Sequence, residues 1–404
     1  MSKFVTQDTR PRKVRYLNSI EQLPSLPEDQ KNELRGVEKK YAFRLTDYYA
    51  DLIDWSDPED PLRQLVIPRV EELREWGKLD ASNERSITVA RATQHKYDDT
   101  ALLLCNEVCG AYCRYCFRKR LFMDDNDEAS LDVSEGLEYI RSRPEITNVL
   151  LTGGDPLLMS PKKLLSTIER VREIDHVQIV RIGTKMTAFN PWTILDHPEL
   201  LEGLSRFSTP EKRIYFMNHF DHPRELTPPV IEALDRLLRA GVICVNQCPI
   251  IRGVNDDIDT LTTLFRKLSF IGVPPYYVFQ GRPAEGNEPY KVTISRGFEI
   301  FDMARTRVSG LAARARMSMS HELGKVEVVG MSRDYFYLRF HRSKYAEDRG
   351  RFMVFHRNDE AYWLDDLVPA GDVGPNVTRH LQKVGTRENG FREFLCRERQ
   401  VELL

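Results

Sequence analysis

From about residue 100 onward, short apolar, β-branched runs alternate with amphipathic stretches of helical period. The runs 101–105, 148–152, 177–182, 213–218, 242–247 and 276–280 read as strands. The clearest helix is 228–240, where Val230, Ile231, Leu234, Leu237 and Leu238 share one face and Gly241 follows as a stop. Strand, helix, strand in succession predicts βα units laid side by side as a parallel sheet. Six such units in series predict an α/β fold of the partial (β/α)6 barrel kind, with its active site at the C-terminal ends of the strands. Residues 1–95 are expected to form a mainly helical N-terminal extension that includes the Pro-punctuated stretch from Asp57 to Pro68. Residues 96–330 carry the barrel and the cofactor sites. Residues 331–404 are expected to be a small C-terminal β appendage, with strands at 335–341, 351–356 and 362–367, followed by a polar tail.

Composition changes this picture only by exclusion. Of 404 residues, 30% are charged and 41% hydrophobic, as in a globular chain rather than a disordered one. The formal net charge of −2 offers no electrostatic case for nucleic acid or an anionic membrane as partner. No apolar run approaches the ~20 residues of a membrane helix. The stretch from Met1 to Tyr16 is polar and basic without an apolar core, which argues against secretion. Bunched cysteines fit a reducing cytoplasm, so a cytoplasmic location is expected.

The densest chemistry is the run Cys109-Gly-Ala-Tyr-Cys113-Arg-Tyr-Cys116. Iron–sulfur cubes usually take four cysteines, so three thiolates in one loop leave one iron of a [4Fe–4S] cluster open to an outside ligand. An open position is what separates a working metal site from a structural one. Zinc is the competing reading, with Cys105 as a fourth ligand, but Cys105 ends an apolar run that a strand would carry away from the loop. A disulfide framework fits poorly, because the seven cysteines are odd in number and Cys244, Cys248 and Cys396 are remote from the cluster run.

The C-x3-C-x2-C spacing, with an aromatic before its last cysteine, resembles the signature of radical S-adenosylmethionine (SAM) enzymes. Over residues ~45–330 the chain is similar to the lysine 2,3-aminomutase family among them. The matching segments are Asp57 to Pro68, Tyr112 to Arg120, Leu151 to Leu157, Val180 to Thr184, Asn218 to Pro223, Asn246-Gln247, Arg252 to Asp256 and Pro275 to Gln280. The resemblance implies a barrel of radical SAM type, with a [4Fe–4S] cluster on Cys109, Cys113 and Cys116, SAM on its open iron, and pyridoxal 5′-phosphate (PLP). It implies migration of an amino group from C2 to C3 of a small-molecule amino acid, and a one-electron donor such as flavodoxin or ferredoxin. A homo-oligomer is compatible with everything in the sequence.

Site residues carry over position by position. Gly153 and Gly154 remove side chains where backbone approaches a ligand closely; by resemblance they meet the methionyl end of SAM, and Asp155 caps the turn. Arg118 is placed to grip the substrate α-carboxylate bidentately, against a solvated cation as the alternative. Arg181, Asn218, His219, Asn246 and Gln247 fall on the implied cofactor contacts, with turn capping or a satisfied core position as their alternatives. Lys96 stands where the family has a basic residue facing the PLP phosphate.

The family's PLP lysine lies in a Gly-rich loop that this chain lacks. Ser320-His-Glu-Leu-Gly324-Lys325 occupies the corresponding place, making Lys325 the Schiff-base candidate. Lysine-specific members hold the substrate's distal ammonium with two acids; the matching positions here are Arg282 and either Ser318 or Met319. An arginine facing an ammonium in a dry site is strongly unfavourable. A substrate other than lysine is therefore expected, with an anionic tail on Arg282, unless Arg282 turns outward to pair with Glu285 or Glu288. Two rival readings remain: a radical SAM enzyme without PLP, and a non-catalytic Fe–S or zinc sensor.

Overall fold

Runs of β-branched and apolar residues too long to sit half in water pair on both edges and build one wide sheet. The computed structural model describes residues 12–123 and 126–385; most of the basic N-terminal run, and the polar tail with Cys396, lie outside them. A two-residue pair, β1 (Tyr16–Leu17) with β2 (Leu45–Thr46), ties down the N-terminal segment. The main sheet has twelve strands. Into it run β3 (Thr88–Ala90) and β4 (Thr93–Tyr97), antiparallel to each other. The expected strands follow as β5 (Thr100–Asn106), β6 (Asn148–Gly153), β7 (Ile179–Thr184), β8 (Ile214–Asn218), β9 (Ile243–Pro249) and β10 (Pro275–Phe279). Each lies parallel to the next.

The sheet continues past the sixth unit. β11 (Arg316–His321) is a seventh parallel strand, and β12 (Gly324–Met331), β13 (Tyr335–Ser343) and β14 (Phe352–His356) extend it antiparallel. The C-terminal strands thus prolong the barrel sheet instead of forming an appendage of their own. β11 and β12 escape a reading by apolar runs because Arg-Met-Ser-Met-Ser-His and Lys-Val-Glu-Val alternate polar and apolar residues. The expected strand at 362–367 is a 3-10 turn at Leu364–Asp366, because the Asp366 carboxylate accepts from the N–H groups of Tyr362 at 3.0 Å and Trp363 at 2.9 Å. Nor is the N-terminal part simply helical. Helices Glu28–Lys40, Asp47–Ala50 and Pro61–Val66 precede β3 and β4, which belong to the sheet.

Helix Pro228–Arg239 begins with prolines and buries Val230, Ala233, Leu234 and Leu237, as its period predicts. No helix among the described residues is long and apolar enough to cross a membrane.

The sheet curls until its ends meet. The Lys96 ammonium donates to the His321 carbonyl, the Ser82 hydroxyl to the Ser320 carbonyl at 2.9 Å, Arg342 pairs with Asp99 and Arg349 with Asp98. These contacts bring the β3–β5 end against the β11–β13 end, with a cavity lined by Tyr97, Asp99, His341 and Arg342 between them.

Over that junction lies a helix where a featureless tail was expected, Pro375–Val384, which buries Val377, His380 and Leu381. The His380 Nε2 donates to Asp365 at 2.9 Å and its Nδ1 to Glu322 at 2.9 Å. The same Asp365 oxygen takes the Nε2–H of His321 at 2.9 Å, while the N–H of Leu323 donates to His321 Nδ1 at 3.2 Å and so fixes the neutral tautomer. Burial pulls the His380 pKa down, yet its two carboxylate partners raise it to about 9. A raised histidine stabilises fully below its unfolded pKa and loses that contribution as pH climbs through the folded value. Wild-type stability should therefore fall between pH 7 and 10 by an increment of order 1–3 kcal/mol that His380→Gln lacks. Parallel urea titrations at both pH values measure the difference.

Candidate active site

The cluster loop follows β5 and is held by two buried acids and by backbone bonds. Arg114, between Cys113 and Cys116, is fully buried and forks onto Glu72 at 3.0 and 2.8 Å. Glu72 is 0% exposed and also takes Lys119 at 3.2 Å and the Tyr290 hydroxyl at 3.0 Å. Burial alone would raise its carboxyl, but Arg114 and Lys119 hold it below the usual range. The Tyr115 hydroxyl donates to Asp221, beyond β8. Backbone bonds fix the rest, from Tyr112 N–H to Arg44 at 3.0 Å and from Arg114 N–H to Leu65 at 2.8 Å.

Cys109, Cys113 and Cys116 are partly exposed and close enough for their charges to act on one another. Burial pushes all three thiols up, so deprotonation would accompany metal binding. Cys105 behaves otherwise. Its side chain is buried in β5, its thiol points at the Thr152 carbonyl at 3.7 Å, and burial raises it to about 12. Cys105 lies within β5, as the strand reading expects, and its hydrogen bond runs to β6 and not to the loop.

Gly153 and Gly154 close the end of β6 against the lead-in to this loop. Gly153 has φ +112°, and a Cβ there would meet the Asn106 carbonyl oxygen at 2.6 Å; one on Gly154 would meet that of Val108 at 2.2 Å. The close approach that excludes side chains is thus to the chain's own backbone. Asp155 caps the following turn through Leu157 N–H at 3.0 Å and gathers the Thr184 hydroxyl and the Lys185 and Met186 N–H groups. Burial raises this carboxyl to about 6 against those hydrogen bonds.

Inside the barrel the balance of charge is positive. Lys325, second in β12, stands opposite Ser320 of β11, whose hydroxyl it meets at 3.3 Å. Its ammonium lies 4.5 and 4.4 Å over the rings of Tyr277 and Phe279. Burial first, then Arg282, Lys96, Arg181 and Arg342, drives its pKa well below that of a free lysine. Lys96 is lowered to about 7 by burial and by Arg282. The Arg181 Nε is buried without a hydrogen-bond partner, as are both amide atoms of Gln94 on β4. Lys325 is no surface lysine, and a strand holds it in place of a glycine-rich loop.

Glu84 gathers three arginines on the other side of this site and was invisible in the sequence. It takes Arg118 at 3.2 Å twice, Arg120 at 2.8 Å and Arg282 at 3.1 Å. Burial would raise Glu84, but Arg118, Arg282 and Arg120 hold it well below the carboxylate range. Arg120 has its own partner in Glu128 at 2.9 Å, so Arg118 and Arg282 share one carboxylate between them. Arg282 lies 3.6 Å over the Phe117 ring. Its expected outward partners are occupied elsewhere, Glu285 by Lys40 and Glu288 by Arg74 and Lys291. Arg118 is buried too, which removes the solvated alternative.

Other expected contacts are engaged within the fold to differing degrees. Asn246 gives both ends of its amide to the Phe220 peptide, at 2.8 and 3.0 Å. Asn218 is 0% exposed and receives Thr187 at 3.1 Å. His219 keeps an unpartnered Nε2, and its ring lies 6.0 Å from that of Tyr115. Gln247 is half-buried in β9. Ser318 is 0% exposed and directs its hydroxyl at the backbone, and Met319 is equally buried.

A family model described as "Radical SAM superfamily" matches residues 104–264. The chain is 53% identical to "Putative L-lysine 2,3-aminomutase" of Aquifex aeolicus, across 88% of this chain and 96% of that protein. It is 34% identical to "L-lysine 2,3-aminomutase" of Fusobacterium nucleatum, across 73% of this chain and 70% of that protein. It is 31% identical to "Glutamate 2,3-aminomutase" of Clostridioides difficile, across 73% of this chain and 69% of that protein.

Removing one partner of a buried ion pair leaves the other charge uncompensated, at about 3–5 kcal/mol. Glu84→Gln should lower unfolding free energy by an amount of that order. Glu138→Gln, which breaks an exposed helix pair with Arg141, should stay within about 0.5 kcal/mol. Denaturant midpoints of the two variants give the comparison.

Proposed function

The chain belongs to the lysine 2,3-aminomutase family of radical SAM enzymes, and we propose that it moves an amino group from C2 to C3 of an amino acid with an anionic side chain. The observation that carries this reading is the group of buried side chains around Lys325, which combines an amine of lowered pKa held over Tyr277 and Phe279, unpartnered buried polar atoms and an excess of cations. A phosphate and carboxylates fit such a lining, and an ammonium tail does not.

Each residue then has a task. Cys109, Cys113 and Cys116 hold three irons of a [4Fe–4S] cluster and leave the fourth for SAM. Gly153, Gly154 and Asp155 shape the β6 end beside it, with His219 offering its free Nε2 from β8. Lys325 anchors PLP, its neutral amine being the form that reacts with an aldehyde, and Lys96 and Arg181 face the phosphate. Arg118 receives the substrate α-carboxylate and Arg282 the distal anion, both aimed in advance by Glu84. Tyr277, Phe279 and Phe117 keep water from the reacting carbons. When bound, the cluster and SAM supply a hydrogen-abstracting radical and PLP carries the migrating nitrogen, while the protein supplies orientation.

Anaerobic reconstitution tests the cofactor assignments. Borohydride should fix PLP to the wild type and not to Lys325→Ala, which should still cleave SAM. Single Cys109, Cys113 or Cys116 alanine variants should lose SAM cleavage, while Cys105→Ala keeps its iron. Full activity of Lys325→Ala, or iron loss in Cys105→Ala alone, would overturn the assignment.

Substrate choice is tested by turnover of lysine against glutamate-like amino acids. The wild type should prefer the acidic tail, and Arg282→Ala should lose that preference by about tenfold or more, as expected for a charge-assisted hydrogen bond of 1.5–3 kcal/mol. Efficient lysine turnover by the wild type would sink the anionic-tail reading.

A further inference from the structure

Behind the cluster loop lies a second set of buried charges that the reaction above leaves without a role. Lys185, just past β7, donates to the His219 carbonyl at 2.8 Å, to Asp221 Oδ2 at 2.8 Å and to Glu225 Oε1 at 2.7 Å. Both carboxylates are 0% exposed. Glu225 also takes the Tyr49 hydroxyl at 2.8 Å and the N–H groups of Asp221 and His222. Asp221 Oδ2 takes the Tyr115 hydroxyl, one residue before Cys116. Asp221 Oδ1 has no hydrogen-bond partner, and neither has His219 Nε2, 3.4 Å away.

Two carboxylates face one ammonium, so the set carries one excess negative charge where little water screens it. It reaches the cluster loop at Tyr115, between Cys113 and Cys116, whose hydroxyl shares Asp221 Oδ2 with Lys185, while Met186 beside Lys185 packs on Gly110, where an added Cβ would lie 2.3 Å from its Sδ. Reduction of a [4Fe–4S] core from 2+ to 1+ takes one electron from a low-potential donor and leaves the three thiolates unchanged, so one negative charge is added at this place. Cluster potentials respond to neighbouring charge and to hydrogen bonding.

We propose that Lys185 is a positioning residue for cluster reduction: its ammonium, held by Asp221 and Glu225, stabilises the added electron from behind the cluster loop, while Asp221 fixes the loop through Tyr115. The proposal rests on Cys109, Cys113 and Cys116 being the cluster ligands.

The test is a potentiometric titration of the reconstituted full chain with dithionite and mediator dyes, followed by electron paramagnetic resonance without SAM or substrate. Lys185→Met should give about tenfold less reduced cluster at a fixed potential, a shift of about 59 mV downward for one electron. Lys185→Arg should keep most of the wild-type value. Asp221→Asn should shift the potential upward. It removes the charge and keeps an oxygen for Lys185 and Tyr115. Opposite shifts support the proposal, because a merely structural role would not reverse sign between the two variants. An unchanged or lowered potential in Asp221→Asn overturns it, and this variant decides alone if Lys185→Met takes up no iron. A wild type that takes up no iron overturns the cluster reading and, with it, this proposal.

Discussion

Everything around the cluster loop depends on matching buried cations to buried carboxylates. Arg114, Arg118 and Lys185 stand in or beside a loop that must leave a metal site partly open, and none of them could remain charged there unpaired. Glu72, Glu84, Asp221 and Glu225 answer them. The first two come from the N-terminal segment and the second two from the end of β8. The loop is thereby clamped between parts of the chain remote in sequence, and its cysteines inherit that rigidity. Hydrophobic packing builds the sheet, but pairing of charge decides where the thiols point.

That dependence explains what the sequence made legible. The parallel core could be read because 101–105 or 214–218 carry apolar runs that only a sheet buried on both faces accommodates. The cysteine spacing was equally plain, since a local motif needs no tertiary knowledge. Glu84 could not be found, because its meaning lies in Arg118, 34 residues away, and Arg282, 198 residues away. β11 and β12 were missed for the opposite reason: one face lines a polar chamber, so their runs never become apolar. Asn246 shows the limit of a local reading, because an amide at a strand end serves a ligand and a neighbouring peptide equally well on paper.

The substrate side shows what the shared carboxylate achieves. Without Glu84, Arg118 and Arg282 would repel each other and swing apart. With it, both guanidinium groups are held within reach of one oxygen pair, and Phe117 supports Arg282 from beneath. An anion bound between them would meet donors already oriented, with little rotamer entropy left to lose.

The junction between the two ends of the sheet has a different character from the strands beside it. Neighbouring strands are laced by backbone ladders, whereas Lys96, Ser82, Arg342 and Arg349 reach across the junction with their side chains. A ladder parts cooperatively and at high cost; a row of side-chain contacts near the surface loosens one contact at a time. The junction beside Lys96 is therefore the line along which the barrel wall would open at least cost. Slow hydrogen exchange should concentrate in β5–β10 and thin toward this line, giving a bulky cofactor a route inward that leaves the parallel core intact.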